Sequence, residues 1–290
     1  MANRRVLVRR RNSTRNIRKI TRTMQLIATA RFQAAFNRAT ASRPYTDKLA
    51  QLIEGLARAA TGLDHPLMET HEDVPHEALL VLTSDRGLCG GYNANVLRTV
   101  VEHLDSRAEA GIETAVTMVG KKGTNYFRFR QREVAEVVSD IGDKPRFEQV
   151  EPVANRLMEA FIRGEIAALH VGYMKFASAG KQMPVVERLL PLSYEAPEGE
   201  DTAGEVLYEF SPSPQELLDE LLPASVRVRL FQAFTDAAVS EQVARMVAMK
   251  AATDAAEDMI KRLTMQYNRA RQTQVTMELL DIVGGANALA

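Results

Sequence analysis

The sequence predicts an α/β fold with a long antiparallel coiled coil: a Rossmann-like α/β domain inserted between long N- and C-terminal helices. Three observations carry this reading. No proline follows Pro223, and helix-favouring residues run on from there through 271–286. Residues 1–58 form a second, mostly helical stretch. Between the two, the apolar pattern changes to short runs that alternate with helical segments, as a largely parallel sheet requires.

In the N-terminal stretch, Ile17, Ile20, Met24 and Ile27 recur at steps of three and four and are taken as the seam. A small-residue continuation through Ala34 and Ala35 follows, and then a later apolar set at Leu49, Leu52, Ile53 and Leu56. The C-terminal run answers with Ala256, Ile260, Leu263, Tyr267 and Ala270, which keep the alternation of four and three that marks a coiled-coil seam. At about 1.5 Å per residue, a continuous helix over 224–286 is a rod of roughly 95 Å. Such a rod needs partners along its length. Its alanine-rich seam lets backbones approach closely but buries little area, so the isolated chain is expected to be only marginally stable.

The middle opens with a strand at 78–83, apolar at nearly every position and therefore buried on both faces. A Gly-rich turn and a helix over 93–108 come next, then a strand at 114–119, a helix over 121–129, a strand at 134–138 and a helix over 147–162. Two further strands, 165–172 and 185–192, flank a loop containing Gly180 and read as an antiparallel finish to the sheet. A Gly- and Glu-rich loop covers 195–205, Tyr208 lies in a short extended piece, and SerProSerPro at 211–214 introduces the last helix.

Across 290 residues the formal net charge is zero, but the charge is segregated. Residues 1–48 carry thirteen Lys/Arg and one acid, Asp47, whereas residues 59–223 carry fifteen Lys/Arg and twenty-eight Asp/Glu. A cationic arm of this kind suits nucleic acid, anionic lipid or an acidic protein sleeve. Nucleic-acid binding calls for interleaved aromatics, and Phe32 and Phe36 are the only ones before Tyr45. Arg9, Arg10 and Arg11 are expected to act on partner contact rather than on the fold. No run of about eighteen apolar residues marks a membrane span, and the opening stretch lacks the apolar core of a secretory signal. Its Arg-, Ser- and Thr-rich composition is that of a transit peptide, but the same residues carry the seam spacing.

The turn at 84–93, SDRGLCGGYN, sits where a doubly wound sheet binds ligands. Its glycines, Gly87, Gly90 and Gly91, match neither the dinucleotide fingerprint nor a P-loop, so no cofactor is expected there. Cys89 beside Arg86 lacks an identifiable base, and Asp85 with Asp140, at the ends of neighbouring strands, could be paired carboxylates but is explained equally well by helix capping and loop solvation. The histidines at 65, 71, 76, 103 and 170 show no metal-ligand spacing and are expected to be ordinary surface or core residues. No catalytic or metal-binding constellation emerges.

Four blocks then resemble one family in order along the chain: IRKITRTMQLIATARF at 17–32, the 84–93 turn, SEQVARMVAMKAATDAA at 240–256 and YNRARQTQVTMELLDIVGGA at 267–286. They look like the γ subunit of F-type ATP synthases. The resemblance implies a non-catalytic central-stalk rotor, with N- and C-terminal shaft helices at 1–60 and 211–290 and an α/β foot at 61–210. It implies as partners the α and β subunits of the head, an ε subunit and the membrane c-ring, with no nucleic acid and no direct membrane insertion. The implied location is peripheral, on the cytoplasmic face of the bacterial inner membrane. By position, Arg271, Gln272 and Thr276 match residues that meet a β-subunit catch loop, and Met24 matches a shaft residue at the same level. Tyr208 and Glu209 fall where the foot meets the c-ring.

Overall fold

The computed structural model describes residues 4–59, 65–71, 73–192 and 213–289. Along the chain the elements are α1 (Arg4–Ala59), β1 (His76–Leu82), α2 (Tyr92–Glu109), β2 (Glu113–Val119), α3 (Lys121–Phe129), β3 (Glu136–Val138), α4 (Phe147–Ile162), β4 (Ala168–Ser178), β5 (Lys181–Leu190) and α5 (Pro214–Leu289). The two terminal helices contain 56 and 76 residues, so the inserted α/β architecture is as expected. Pro214 opens α5, where a missing N–H costs nothing, and Ser213 Oγ accepts from the Glu216 N–H at 3.4 Å. Tyr208, Glu209 and the 195–205 loop lie outside the described residues.

Contacts divide the chain into two compact units, residues 1–30 with 245–290 and residues 31–244. In the larger unit the sheet order is β3-β2-β1-β4-β5. The first four strands pair in parallel, and β5 returns antiparallel to β4 through a tight turn at Ala179 and Gly180. Alternation along β1 explains the two layers. Ala78, Leu80 and Leu82 point to a core that includes α4 together with Ile53 of α1 and Leu222 and Leu230 of α5. Leu79 and Val81 point to the opposite core, with Val96, Val100 and Phe127 of α2 and α3. The strand is thus buried on both faces, as its unbroken apolar run predicts.

In the smaller unit, α1 and α5 pair antiparallel. Thr253 Oγ1 donates to Thr21 Oγ1 at 2.8 Å, Arg18 Nη1 meets Glu257 Oε1 at 3.2 Å, and the Arg11 guanidinium lies 5.1 Å from the centre of the Tyr267 ring. On α5 the buried or half-buried positions include Met249, Thr253, Ala256, Ile260, Leu263, Tyr267 and Ala270, among them every seam residue expected there. On α1 the seam differs from expectation. It is lined by Leu7, Thr14, Thr21 and Ala28, each seven residues from the next, whereas Ile17, Ile20 and Ile27 are about half exposed at 53%, 59% and 49%. The 17/20/24/27 spacing identifies one face of a helix, but periodicity does not say which face a partner takes. Small side chains win the seam because they let the backbones approach closely. Arg11 also departs from the expectation for the basic arm, since its place over Tyr267 gives it a packing role.

This arrangement inverts the usual effect of hydrophobic substitutions. Ala28→Leu, which overfills a position that is 1% exposed, is expected to destabilise the isolated chain by about 1–3 kcal/mol. Ile20→Ser is expected to stay within about 0.5 kcal/mol of the parent. Denaturant unfolding of the two variants checks the order; a larger loss for Ile20→Ser would place the seam on the isoleucine face.

Candidate functional site: the outward faces of the paired helices

Threonine and alanine take much of the α1 seam, and several large apolar residues of the two helices lie outside it. Ile17, Ile20, Leu26 and Ile27 of α1 and Leu279, Leu280, Ile282 and Val283 of α5 are all exposed. Exposed apolar side chains in such numbers on one helical pair are unusual for a free surface and mark a contact surface. Met24 is half-buried beside them, and Arg271, Gln272 and Thr276 are exposed on α5. The Thr276 hydroxyl donates to the Gln272 carbonyl at 3.0 Å, one turn back, which leaves the Gln272 amide and the Arg271 guanidinium directed at solvent.

The cross-helix pairs fix the levels of these residues. Thr21 faces Thr253, Thr14 meets Met259 at 3.6 Å, and Arg4 and Arg11 bracket Tyr267. In that register Met24 stands opposite position 250 or so, and α5 from Thr276 onward runs past the described part of α1. Met24 is therefore about 30 Å along the axis from Arg271, not at the same level as expected. The antiparallel pair brings the start of α1, not Met24, level with the Arg271 region, because Arg4 already lies at Tyr267 while Thr21 lies at Thr253.

The 84–93 turn is closed on itself. Asn93 Oδ1 accepts from the Ser84 N–H at 3.0 Å, while Asn93 Nδ2 donates to Ser84 Oγ at 2.8 Å and to Cys89 Sγ at 3.3 Å. Leu88 and Gly90 take left-handed backbone angles, φ 64° and 56°, to make the bend. Cys89 is buried, and Asp85 Oδ1 accepts from the Lys121 N–H at 3.1 Å at the start of α3. These polar groups are used in folding the turn, and the Asp85 capping role is as expected.

Two polar clusters in the α/β unit carry no sequence signature. In the first, Glu77 at the start of β1 receives the Arg107 Nε at 2.8 Å and also meets Arg107 Nη2 through its second oxygen. His170 Nε2 of β4 lies 3.5 Å from Glu77 Oε2, and the His103 and His170 ring centres are 4.8 Å apart. Burial, with Arg107 nearby, lowers the His103 pKa; burial also lowers that of His170, to about 4, against the opposing pull of Glu77. Sequence spacing does not show this grouping, because β1, α2 and β4 bring together residues far apart in the chain.

The second cluster lines a cavity of about 450 Å³ between Thr46, the β4–β5 hairpin and the Arg229–Asp236 turn of α5. Glu187 accepts from the Tyr173 hydroxyl and from Lys175 Nζ, both at 2.7 Å. Burial pushes the Glu187 pKa up, but the bonds from Lys175 and Tyr173 outweigh it and hold the carboxyl below the usual range. With the folded-state value depressed, this stabilisation is complete above the ordinary value of 4.5 and is lost as pH falls through the folded value. The stability difference between the parent and Glu187→Gln should therefore be constant near neutrality and shrink below about pH 4.5. Urea titrations across that range test it, and a difference that persists unchanged to about pH 3 would contradict it.

Against this geometry the comparisons are consistent along the whole chain. A protein-family model described as ATP synthase matches residues 3–289. An ATP synthase gamma chain of Rhodopirellula baltica is 48% identical over 100% of this chain and 99% of its own length. One of Frankia casuarinae is 43% identical over 97% and 96%, and one of Leptospira biflexa is 37% identical over the whole of both chains. In fold, a chain of the Euglena gracilis mitochondrial ATP synthase superposes with a TM-score of 0.69 at 18% identity, covering 99% of this chain and 94% of that one. A chain from the rotor of that synthase in another rotational state superposes at 0.65. The chain belongs to the ATP synthase gamma chain family.

Proposed function

We propose that this chain is the central-stalk rotor subunit of an F-type ATP synthase, coupling rotation of a membrane c-ring to the conformational cycle of catalytic β subunits. One observation supports it above all: in the paired segment α1 buries Thr14, Thr21 and Ala28 and turns Ile17, Ile20, Leu26 and Ile27 outward. A helical pair built in this sense is completed by a sleeve around it. The outward side chains are separate ridges rather than one deep anchor, which suits contacts that break and reform as the shaft turns. Solvent-screened arginines along the N-terminal arm add cheap, reversible charge contacts of about 0–1 kcal/mol each.

In this reading the sleeve consists of α and β subunits, and the catalytic sites lie on those chains. The α/β domain at 61–210 is the foot, meeting ε and the c-ring through the region of Tyr208 and Glu209, and 1–60 with 211–290 form the shaft. The chain sits peripherally on the cytoplasmic face of a bacterial inner membrane. Among the described residues, no helix is long and apolar enough to cross one. The alternative, a nucleic-acid-binding coiled coil, gains no support from whole-length matches to gamma chains. Its stacking aromatics are engaged elsewhere, since Phe36 packs against Phe176 at 5.9 Å and Phe32 at 6.5 Å.

Arg271, Gln272 and Thr276 are assigned to a β-subunit loop engaged at certain rotor angles, and Met24 to a separate sleeve contact about 30 Å along the shaft. The Arg271→Ala, Gln272→Ala, Thr276→Ala triple variant should fold alone as the parent does. Assembled with its α and β subunits, it should hydrolyse ATP several-fold more slowly, the loss expected if hydrogen bonds of about 1 kcal/mol each are removed from one rotational state. Assembly with an unchanged turnover rate would withdraw these residues from the coupling contact. Failure of the parent chain to co-purify with α and β subunits would overturn the rotor reading itself.

A further inference from the structure

We propose that Glu77, His103 and His170 form a binding site for one divalent transition cation of the zinc class, with Arg107 orienting the carboxylate. The inference rests on the α/β unit alone and goes beyond the rotor reading. One ligand atom from each of the three residues lies within 4.8 Å of the other two. Each comes from a different element: Glu77 from β1, His103 from α2 and His170 from β4. Their meeting is a product of packing. Glu77 and His170 point to the face of the sheet that α2 covers, and Gly172, two residues on from His170, lets α2 settle close. A Cβ at Gly172 would lie 2.6 Å from Val100 Cγ2, one helical turn before His103.

The donor set is incomplete without a ligand. The Nε2 atoms of both His103 and His170 are buried and have no hydrogen-bond partner. An unpartnered buried nitrogen is costly, and here two belong to histidines grouped with one carboxylate. Two imidazoles and one carboxylate are the protein ligands of a zinc site that keeps a fourth position for water. The same set disfavours magnesium and calcium, which take oxygen ligands. Tetrahedral coordination at about 2.0–2.2 Å sets the ligand atoms roughly 3.3 Å apart, so the cluster closes by a small side-chain adjustment. The two histidines are only partly covered, which leaves water and ion a path. Arg107 grips both carboxylate oxygens and fixes their direction, the part that an outer-shell partner plays at metal sites. Because it also shares the carboxylate's charge, the site should bind more weakly than a closed four-ligand one.

The test uses the full-length chain stripped of metal. Titration with Zn²⁺ in competition with a chromogenic chelator is expected to show one saturable site, and Co²⁺ is expected to give the visible absorption of a four-coordinate ion. His103→Gln and His170→Gln should each weaken binding by about tenfold or more. His65→Gln, His71→Gln and His76→Gln, which lie outside the cluster, should bind as the parent does. A second measurement needs no variant: Zn²⁺, but not Mg²⁺, should protect His103 and His170 of the parent from carbethoxylation, read by peptide mapping. The proposal is overturned if the folded parent binds no Zn²⁺, if the His103→Gln, His170→Gln double variant binds undiminished, if binding follows His76, or if Zn²⁺ leaves both imidazoles reactive.

Discussion

The pairing of α1 and α5 between residues 4–30 and 245–270 is the constraint from which the surface of that unit follows. Thr14, Thr21 and Ala28 on one helix and Thr253 and Ala256 on the other are buried there, Thr253 bonding Thr21, while Leu7, Met249, Ile260, Leu263 and Tyr267 supply the larger side chains. A buried methyl group contributes about 0.8 kcal/mol, whereas a fully buried leucine contributes about 1.5–3 kcal/mol. The pair therefore gains little from its own interface. What it gives up inside is displayed outside as isoleucine and leucine, and a partner recovers that burial energy when it covers them.

A different economy governs residues 31–244. There β1 and β4 are covered on both faces, and the two apolar cores are built from strictly alternating side chains of the same strands. Glu77 is a carboxylate admitted to that interior, and it is tolerated because Arg107 meets both of its oxygens. Removing one partner of such a pair leaves a buried charge exposed to a low dielectric, a far larger penalty than the pair's own net worth. The histidines beside it stay neutral for the same reason: a second and third positive charge would have to be buried against Arg107.

Elements whose signal is local were legible in the sequence. The unbroken apolar run at 78–83, the proline-free C-terminal stretch and the helix over 147–162 each appear where their residues place them. The expected strand at 134–138 shrinks to Glu136–Val138, as befits an edge strand with one neighbour. What local pattern could not give was choice of partner. The isoleucine stripe at 17, 20 and 27 has the same period as the buried stripe at 7, 14, 21 and 28, and only the identity of the facing helix decides between them. The Glu77–His103–His170 group was invisible for a related reason: 26 residues separate the first two and 67 the last two, and sheet order alone makes them neighbours.

A seam of small side chains also bears on how a rotor resists load. Packing two backbones closely gives bending stiffness through geometry rather than through deep side-chain interdigitation, and it leaves the outer ridges free to differ around the circumference. Those differences are what a surrounding ring of subunits can read as the shaft turns. In the proposed assembly the sleeve covers apolar area that the free chain exposes, and binding to the folded state alone would stabilise the fold by mass action. Substitutions on the isoleucine face and substitutions in the threonine–alanine seam consequently belong to two different equilibria. In the proposed assembly the first shifts binding of the sleeve at nearly constant intrinsic stability, and the second shifts the helical pair itself.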